Sequence, residues 1–199
     1  MTHFRLLILL ASLLIASSAF AQNDTIVGKH VTDCVPAKVA LLHDYMSSMA
    51  DKSKTPDSRK YYREKALELF VMQGEPYETE GMRHPGVKIV TVSTQPKKRT
   101  MRLVKDYFKM LEHLRYPQIN IQTIDIIELS DLKKIDNNIY VCTAYLATRF
   151  MGYHDGMPAY SDVTNRHLQI YISAEEKIDG HEFTVLFGDM TGTEAVSTL

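Results

Sequence analysis

The chain divides by the period of its apolar residues. Val39, Leu42, Met46 and Met49 recur at steps of three and four, which predicts one stripe on a helix over Pro36–Ala50. Asp51–Lys54 interrupts it. Thr55-Pro56-Asp57 then has the order of a helix start: a capping hydroxyl, a proline in the first turn and an acid near the positive end of the dipole. Tyr62, Ala66, Leu69 and Phe70 give the second stripe, and Gly74 is the expected stop. Two such helices predict a helical hairpin. Gly74–Gly86 holds three glycines and two prolines, a loop with at most a short strand at Tyr77–Thr79. Val87–Thr94 is rich in β-branched residues and predicts a strand. After a turn at Gln95–Thr100, residues Leu103, Val104, Tyr107, Phe108, Leu111 and Leu114 share a face of a third helix, which Tyr116-Pro117 ends.

Beyond Pro117 the period becomes two. Ile119–Glu128 predicts a strand whose apolar parity slips between Ile121 and Ile124, as a bulge near Gln122-Thr123 would cause. Ile139–Tyr153 predicts a long strand with Tyr140, Cys142, Ala144, Leu146 and Phe150 on one side. Leu168, Ile170 and Ile172 mark the next strand, and Phe183, Val185 and Phe187 the last, with Ile178-Asp179-Gly180 as a hairpin turn between them. Gly152–Asp162 is expected to be the connection of the preceding hairpin, because Asp155-Gly156 suits a turn and Met157-Pro158 cannot continue a central strand. The order is helix, helix, strand, helix and four strands in meander, an α+β class.

With these elements in place the chain resembles the NTF2-like superfamily. The segments that carry the resemblance are YYREKALELF, TMRLVKDYFKMLEHL, IYVCTAYLATRFMGY, RHLQIYI and HEFTVLFGDM. It is also similar to uncharacterised exported bacterial proteins of this type. The resemblance implies three helices packed in the concave face of a strongly bent antiparallel sheet. That superfamily includes isomerases, dehydratases, transport factors and noncatalytic binders, so the fold alone does not decide an activity. Its steroid isomerase branch sets a buried aspartate against a tyrosine. The comparable residues here are Asp125 and Asp162 on strands, with Tyr107 or Tyr140 facing inward, and no motif aligns them to that branch.

The first 21 residues carry a different signal. Arg5, the apolar run Leu6–Ala16 and the small-x-small Ala19-Phe20-Ala21 read as a signal peptide, which leaves Gln22–Leu199 as a single domain, exported to a periplasmic or extracellular location. The apolar run is about half the roughly 20 residues of a membrane-spanning helix, so no membrane anchor is expected. Without the leader the chain has 22 basic and 24 acidic residues and no block of one sign, which speaks against nucleic acid as a partner. Cys34 and Cys142 are the only cysteines, and an oxidising compartment would permit a disulfide between them; sequence leaves the pairing open.

Two surfaces are candidates for function. The first is the hairpin connection, where His154, Asp155, Asp162 and His167 are dense enough to suggest a metal site or an acid–base pair. None of the short metal-ligand spacings is present, no cofactor is implied, and the turn reading competes directly. His113 and Tyr107 on the third helix read as core residues. The second candidate is the outer face of the meander. Alternation turns Tyr145, Arg149, Met151 and Tyr153 outward, joined by Tyr171 from the next strand, and these are residue types enriched at interfaces. The preferred expectation is an exported noncatalytic binding or assembly module that uses this face for a protein partner or for self-association as a homodimer. The alternative is a small lyase, isomerase or hydrolase with a pocket between helices and sheet; a carrier of a small apolar ligand is a third.

Overall fold

The computed structural model describes residues 27–79, 81–94, 97–177 and 180–198. The expected signal peptide and the dipeptide Ile178-Asp179 lie outside the described residues. The first helix, α1, occupies residues 27–50 and ends where expected. Its start differs from the expected Pro36. Val27, Val31, Val35 and Val39 step by four and are all buried, so the apolar stripe carries the helix through the proline. Thr32, whose carbonyl loses its usual partner because Pro36 has no N–H, turns its own hydroxyl to the carbonyl of Gly28 at 3.0 Å.

Helix α2 spans Pro56–Leu67, and the Thr55 hydroxyl caps it by accepting from the Ser58 N–H at 3.2 Å. It stops before Leu69 and Phe70. The following turn at Val71–Gly74 carries Met72 at φ 46° and Gln73 at φ 53°, two left-handed residues in succession. A small hairpin of β1 (Tyr77–Thr79) and β2 (Met82–His84) leads to β3 (Lys88–Thr94), then β4 (Lys97–Leu103) and α3 (Val104–Glu112). The expected turn at Gln95–Thr100 is thus mostly strand. β4 forms a complete antiparallel ladder with β3. Its lysines and arginines, poor strand formers, suit a sheet edge.

The large sheet is completed by β5 (Gln118–Leu129), β6 (Lys133–Asp136), β7 (Ile139–His154), β8 (Met157–Lys177) and β9 (Gly180–Ser197). Its strand order is β4-β3-β9-β8-β7-β5, with β6 also pairing β7. The four long strands form the expected meander. Two features of the expected sheet need correction. It is mixed, because β3 meets β9 in parallel at Ile89↔Met190 and Val90↔Thr191. It is also not strongly curled. Helix α1 crosses from β9, where Lys38 Nζ reaches the Val185 carbonyl at 2.7 Å, to β5, where Ser47 accepts from the Ile121 N–H at 2.9 Å. A straight rod about 36 Å long packs best over a shallow sheet. The predicted bulge in β5 falls between Thr123 and Asp125.

The core lies between the helices and one face of this sheet. Tyr140, Cys142, Ala144 and Leu146 are buried on β7, and Leu168, Ile170 and Ile172 on β8. Phe70, Phe108 and Phe187 meet edge to face, with centroids 5.9 and 5.8 Å apart, and lock α3 and the end of α2 to β9. Among the described residues no helix is long and apolar enough to cross a membrane.

Candidate binding site

Strand β8 begins at Met157, so the expected connection Gly152–Asp162 shrinks to the two residues Asp155 and Gly156. Both have positive φ, 51° and 76°, as a two-residue hairpin turn on twisted strands requires. Pro158 is tolerated inside β8 because the ladder with β9 starts only at Asp162, with Thr198 still reaching Ser161, leaving Met157–Tyr160 with β7 alone. The longer strand changes where its side chains go. Tyr160, Asp162, Thr164 and Arg166 are two apart, and they continue inward in phase with Leu168, Ile170 and Ile172. One strand therefore presents an apolar row to α1 and a polar row beyond it.

The polar row lines a cleft of about 560 Å³ between the sheet and α3. Tyr107, Met110, Leu111 and Leu114 approach from the helix, Arg102 from β4, and Tyr116 and Phe150 from the far end. Tyr116, Phe150 and Tyr160 form an aromatic wall with centroids 6.0–6.3 Å apart. The Tyr116 ring lies flat over Gly152; a Cβ at that position would come within 2.6 Å of its Cγ.

Hydrogen bonds fix the row. Tyr160 donates to Asp162 Oδ2 at 2.8 Å and, its proton thus committed, accepts from Thr94 at 3.0 Å. Thr164 donates to Asp162 Oδ1 at 3.3 Å. Arg166 donates through Nε to Thr148 at 2.8 Å, and Thr148 donates onward to the Thr164 carbonyl at 3.2 Å. Burial raises the pKa of the Tyr107 phenol, and its hydroxyl feels Arg166, Asp162 and Arg102 together. His43 of α1 is fully enclosed and shares a hydrogen bond with Thr123 at 3.1 Å. Burial, with the Arg166 charge added, lowers its pKa to about 4.

The structure brings together only part of what the sequence singled out. Asp162 and Tyr107 line one cleft, whereas Asp125 is exposed on β5 and Tyr140 is buried on β7 beside Lys134. His154 and Asp155 sit at the exposed hairpin tip, 3.1 Å from each other. His167 faces the opposite side from Asp162 and stacks edge to face on Tyr145 at 4.7 Å. These four do not converge, and no group of three metal-ligating side chains occurs among the described residues. His113 lines the cleft margin rather than the core. Tyr145, Arg149, Met151, Tyr153 and Tyr171 are half-buried and stand opposite the buried positions of their strands. Arg166, Arg102, Tyr160, Thr148 and His43 were not anticipated. Counting back by twos from Leu168 would have reached Arg166 and Tyr160.

The outer face has a groove of its own. Val71, Met72, Tyr77, Ile139, Tyr171 and Leu186 enclose about 430 Å³, with Met72 60% exposed at the rim. Tyr77 hydrogen-bonds Tyr171, and burial raises its phenol pKa. Cys34 on α1 and Cys142 on β7 are free thiols, and Cys34 packs against the core that contains Cys142. Burial raises both, and proximity to Cys34 helps to push Cys142 up to about 11. Comparison with the models of known protein families and with curated proteins found no match.

Proposed function

We propose that this chain is an exported, noncatalytic NTF2-like domain that binds a small molecule in the cleft between α3 and the inner face of the sheet. The observation that carries the reading is the row Tyr160-Asp162-Thr164-Arg166 opposite Tyr107, in a cleft whose volume of about 560 Å³ falls in the range of small-molecule sites. A filled apolar interior would have left the outer face as the main candidate. The side chains of the row are held by neighbours on β3 and β7, so the polar groups are preorganised.

Binding is favoured over catalysis by the state of Asp162. Both carboxylate oxygens already accept hydroxyl hydrogen bonds, from Tyr160 and Thr164. Each oxygen keeps a second lone pair, but these bonds hold the carboxylate as a fixed member of the row and no motif sets it up as a general base. Export is supported by the signal-peptide pattern of the first 21 residues. A second reading, docking of a protein partner or a second copy on the outer face, draws on the apolar groove around Tyr171 and Leu186.

Amide and methyl NMR spectra of the purified protein, recorded against a mixed set of aromatic fragments, test the choice. The expected perturbations cluster at Tyr107, Phe150, Tyr160, Thr164 and Arg166. Perturbations confined to Tyr145, Tyr171 and Leu186, or none at all, would overturn the cleft reading.

A further inference from the structure

We infer that the ligand of this cleft is an aromatic carboxylate, held at its acid by Arg166 and Arg102 and at its ring by the Tyr116–Phe150–Tyr160 wall. The inference rests on the cleft being a ligand site, and it adds the chemical class. Its basis is an imbalance of charge. Three arginines and one carboxylate line the cleft, and Arg115 is already occupied, donating to the Tyr116 hydroxyl at 2.9 Å with its guanidinium 5.0 Å from that ring centre. Arg115 keeps its charge, so three guanidinium groups face one carboxylate, and Arg102 and Arg166 are the two not held by Tyr116.

Asp162 makes no ion pair with them. Each of its oxygens accepts one hydroxyl hydrogen bond, and among the described residues neither Arg102 nor Arg166 has a carboxylate within 4.0 Å. Arg166 has only one strong bond, to Thr148; its Nη1 reaches no better acceptor than Met190 Sδ at 3.9 Å. A half-buried guanidinium without a counter-ion is costly, and an incoming oxyanion relieves that cost with charge-assisted hydrogen bonds. Three cations against one anion leave the lining net positive, which favours an anionic ligand. The aromatic wall then sets the rest of the molecule: a flat ring system that stacks on tyrosine and phenylalanine. The same imbalance disfavours amines.

Isothermal titration of the purified protein with 2-naphthoate, 2-naphthol and 2-naphthylmethylamine tests this. These probes share one ring and differ in charge. The expected order is naphthoate tightest, roughly tenfold to a hundredfold over naphthol as for hydrogen bonds to a charged group, and the amine weakest. Arg166→Met removes the preference for naphthoate but keeps naphthol binding, and Arg166→Lys restores part of it. Arg102→Gln, at a half-exposed edge position, narrows the preference without risk to the core. Equal binding of naphthoate and naphthol, or a preference for the amine, overturns the assignment of ligand class and leaves the cleft reading standing. Failure of all three probes to bind overturns both.

Discussion

His43 makes the inner face sensitive to acid in a way that can be measured. Its imidazole is 2% exposed, and its native pKa is lowered to about 4 by burial and by Arg166. An unfolded histidine titrates near 6.5. Above that pH both states hold a neutral ring and the histidine costs nothing. As the pH falls below 6.5 the unfolded chain takes a proton that the native state refuses until about pH 4. The unfolded state then binds more protons, so stability falls with pH across this window and levels off below it. The loss from pH 7 to pH 5 is about 2 kcal/mol, approaching roughly 3 kcal/mol in stronger acid. Carboxylates also respond over this range, so the comparison is with His43→Gln, which retains a partner for Thr123 and does not titrate. Urea unfolding at pH 7, 6 and 5 should show wild type losing about 2 kcal/mol more than the variant. Arg166→Met, which removes the repelling charge, should reduce that difference. Parallel curves for wild type and His43→Gln would show that the ring is not buried beside a cation, and the described inner face would be wrong.

Two further outcomes follow from packing and from the thiols. Gly152→Ala places a methyl 2.6–2.8 Å from three ring atoms of Tyr116, so the whole buried ring must shift; it should cost about 1–3 kcal/mol and lower the melting temperature in a calorimetric scan. Gly188→Ala meets only the outer edge of Tyr171 and the tip of Gln169, and should cost less; equal effects would count against the cleft geometry. Cys34 and Cys142 should close a disulfide when the protein is held with oxidised glutathione, each thiol giving up its hydrogen as the glutathione disulfide is reduced. Mass spectrometry should then show the loss of two hydrogens, and a bridge over a loop this long should stabilise by up to about 4–5 kcal/mol, less any strain. Alkylation of both thiols after that treatment would refute the pairing.

The fold was legible wherever a stripe of one period ran long enough. Thr55-Pro56 marked the start of α2, and the parity slip between Ile121 and Ile124 located the β5 bulge to within a residue or two. Strand β7 was readable because alternation ran unbroken from Tyr140 to Leu146. Strand β4 was not, since Lys97–Leu103 is mostly charged and gains its strand state from its ladder with β3 rather than from any preference of its own. Helix α1 was read short because Pro36 imitates a helix start, and only burial reveals that Val27, Val31 and Val35 belong to the same stripe. The cleft was half visible. Asp162 and Tyr107 were named, but proline beside Asp155-Gly156 argued for a loop, and a loop has no inward side. That hid Tyr160, while Thr164 and Arg166, just beyond the expected loop, were not placed on the inward row that starts at Leu168. Arg102 could not have been assigned without the pairing of β3 and β4.

Because Tyr160, Asp162, Thr164 and Arg166 share one pleat, insertions and deletions in β8 have unequal consequences along its length. At the Asp155-Gly156 tip, exposed and outside the ladder with β9, an added pair of residues only lengthens a protruding ribbon. Between Tyr160 and Arg166 the loss of a single residue would rotate part of the quartet toward solvent and bring Val163 and Asn165 inside. Natural variants of this domain should therefore differ in length at the tip and keep the spacing between tyrosine and arginine fixed.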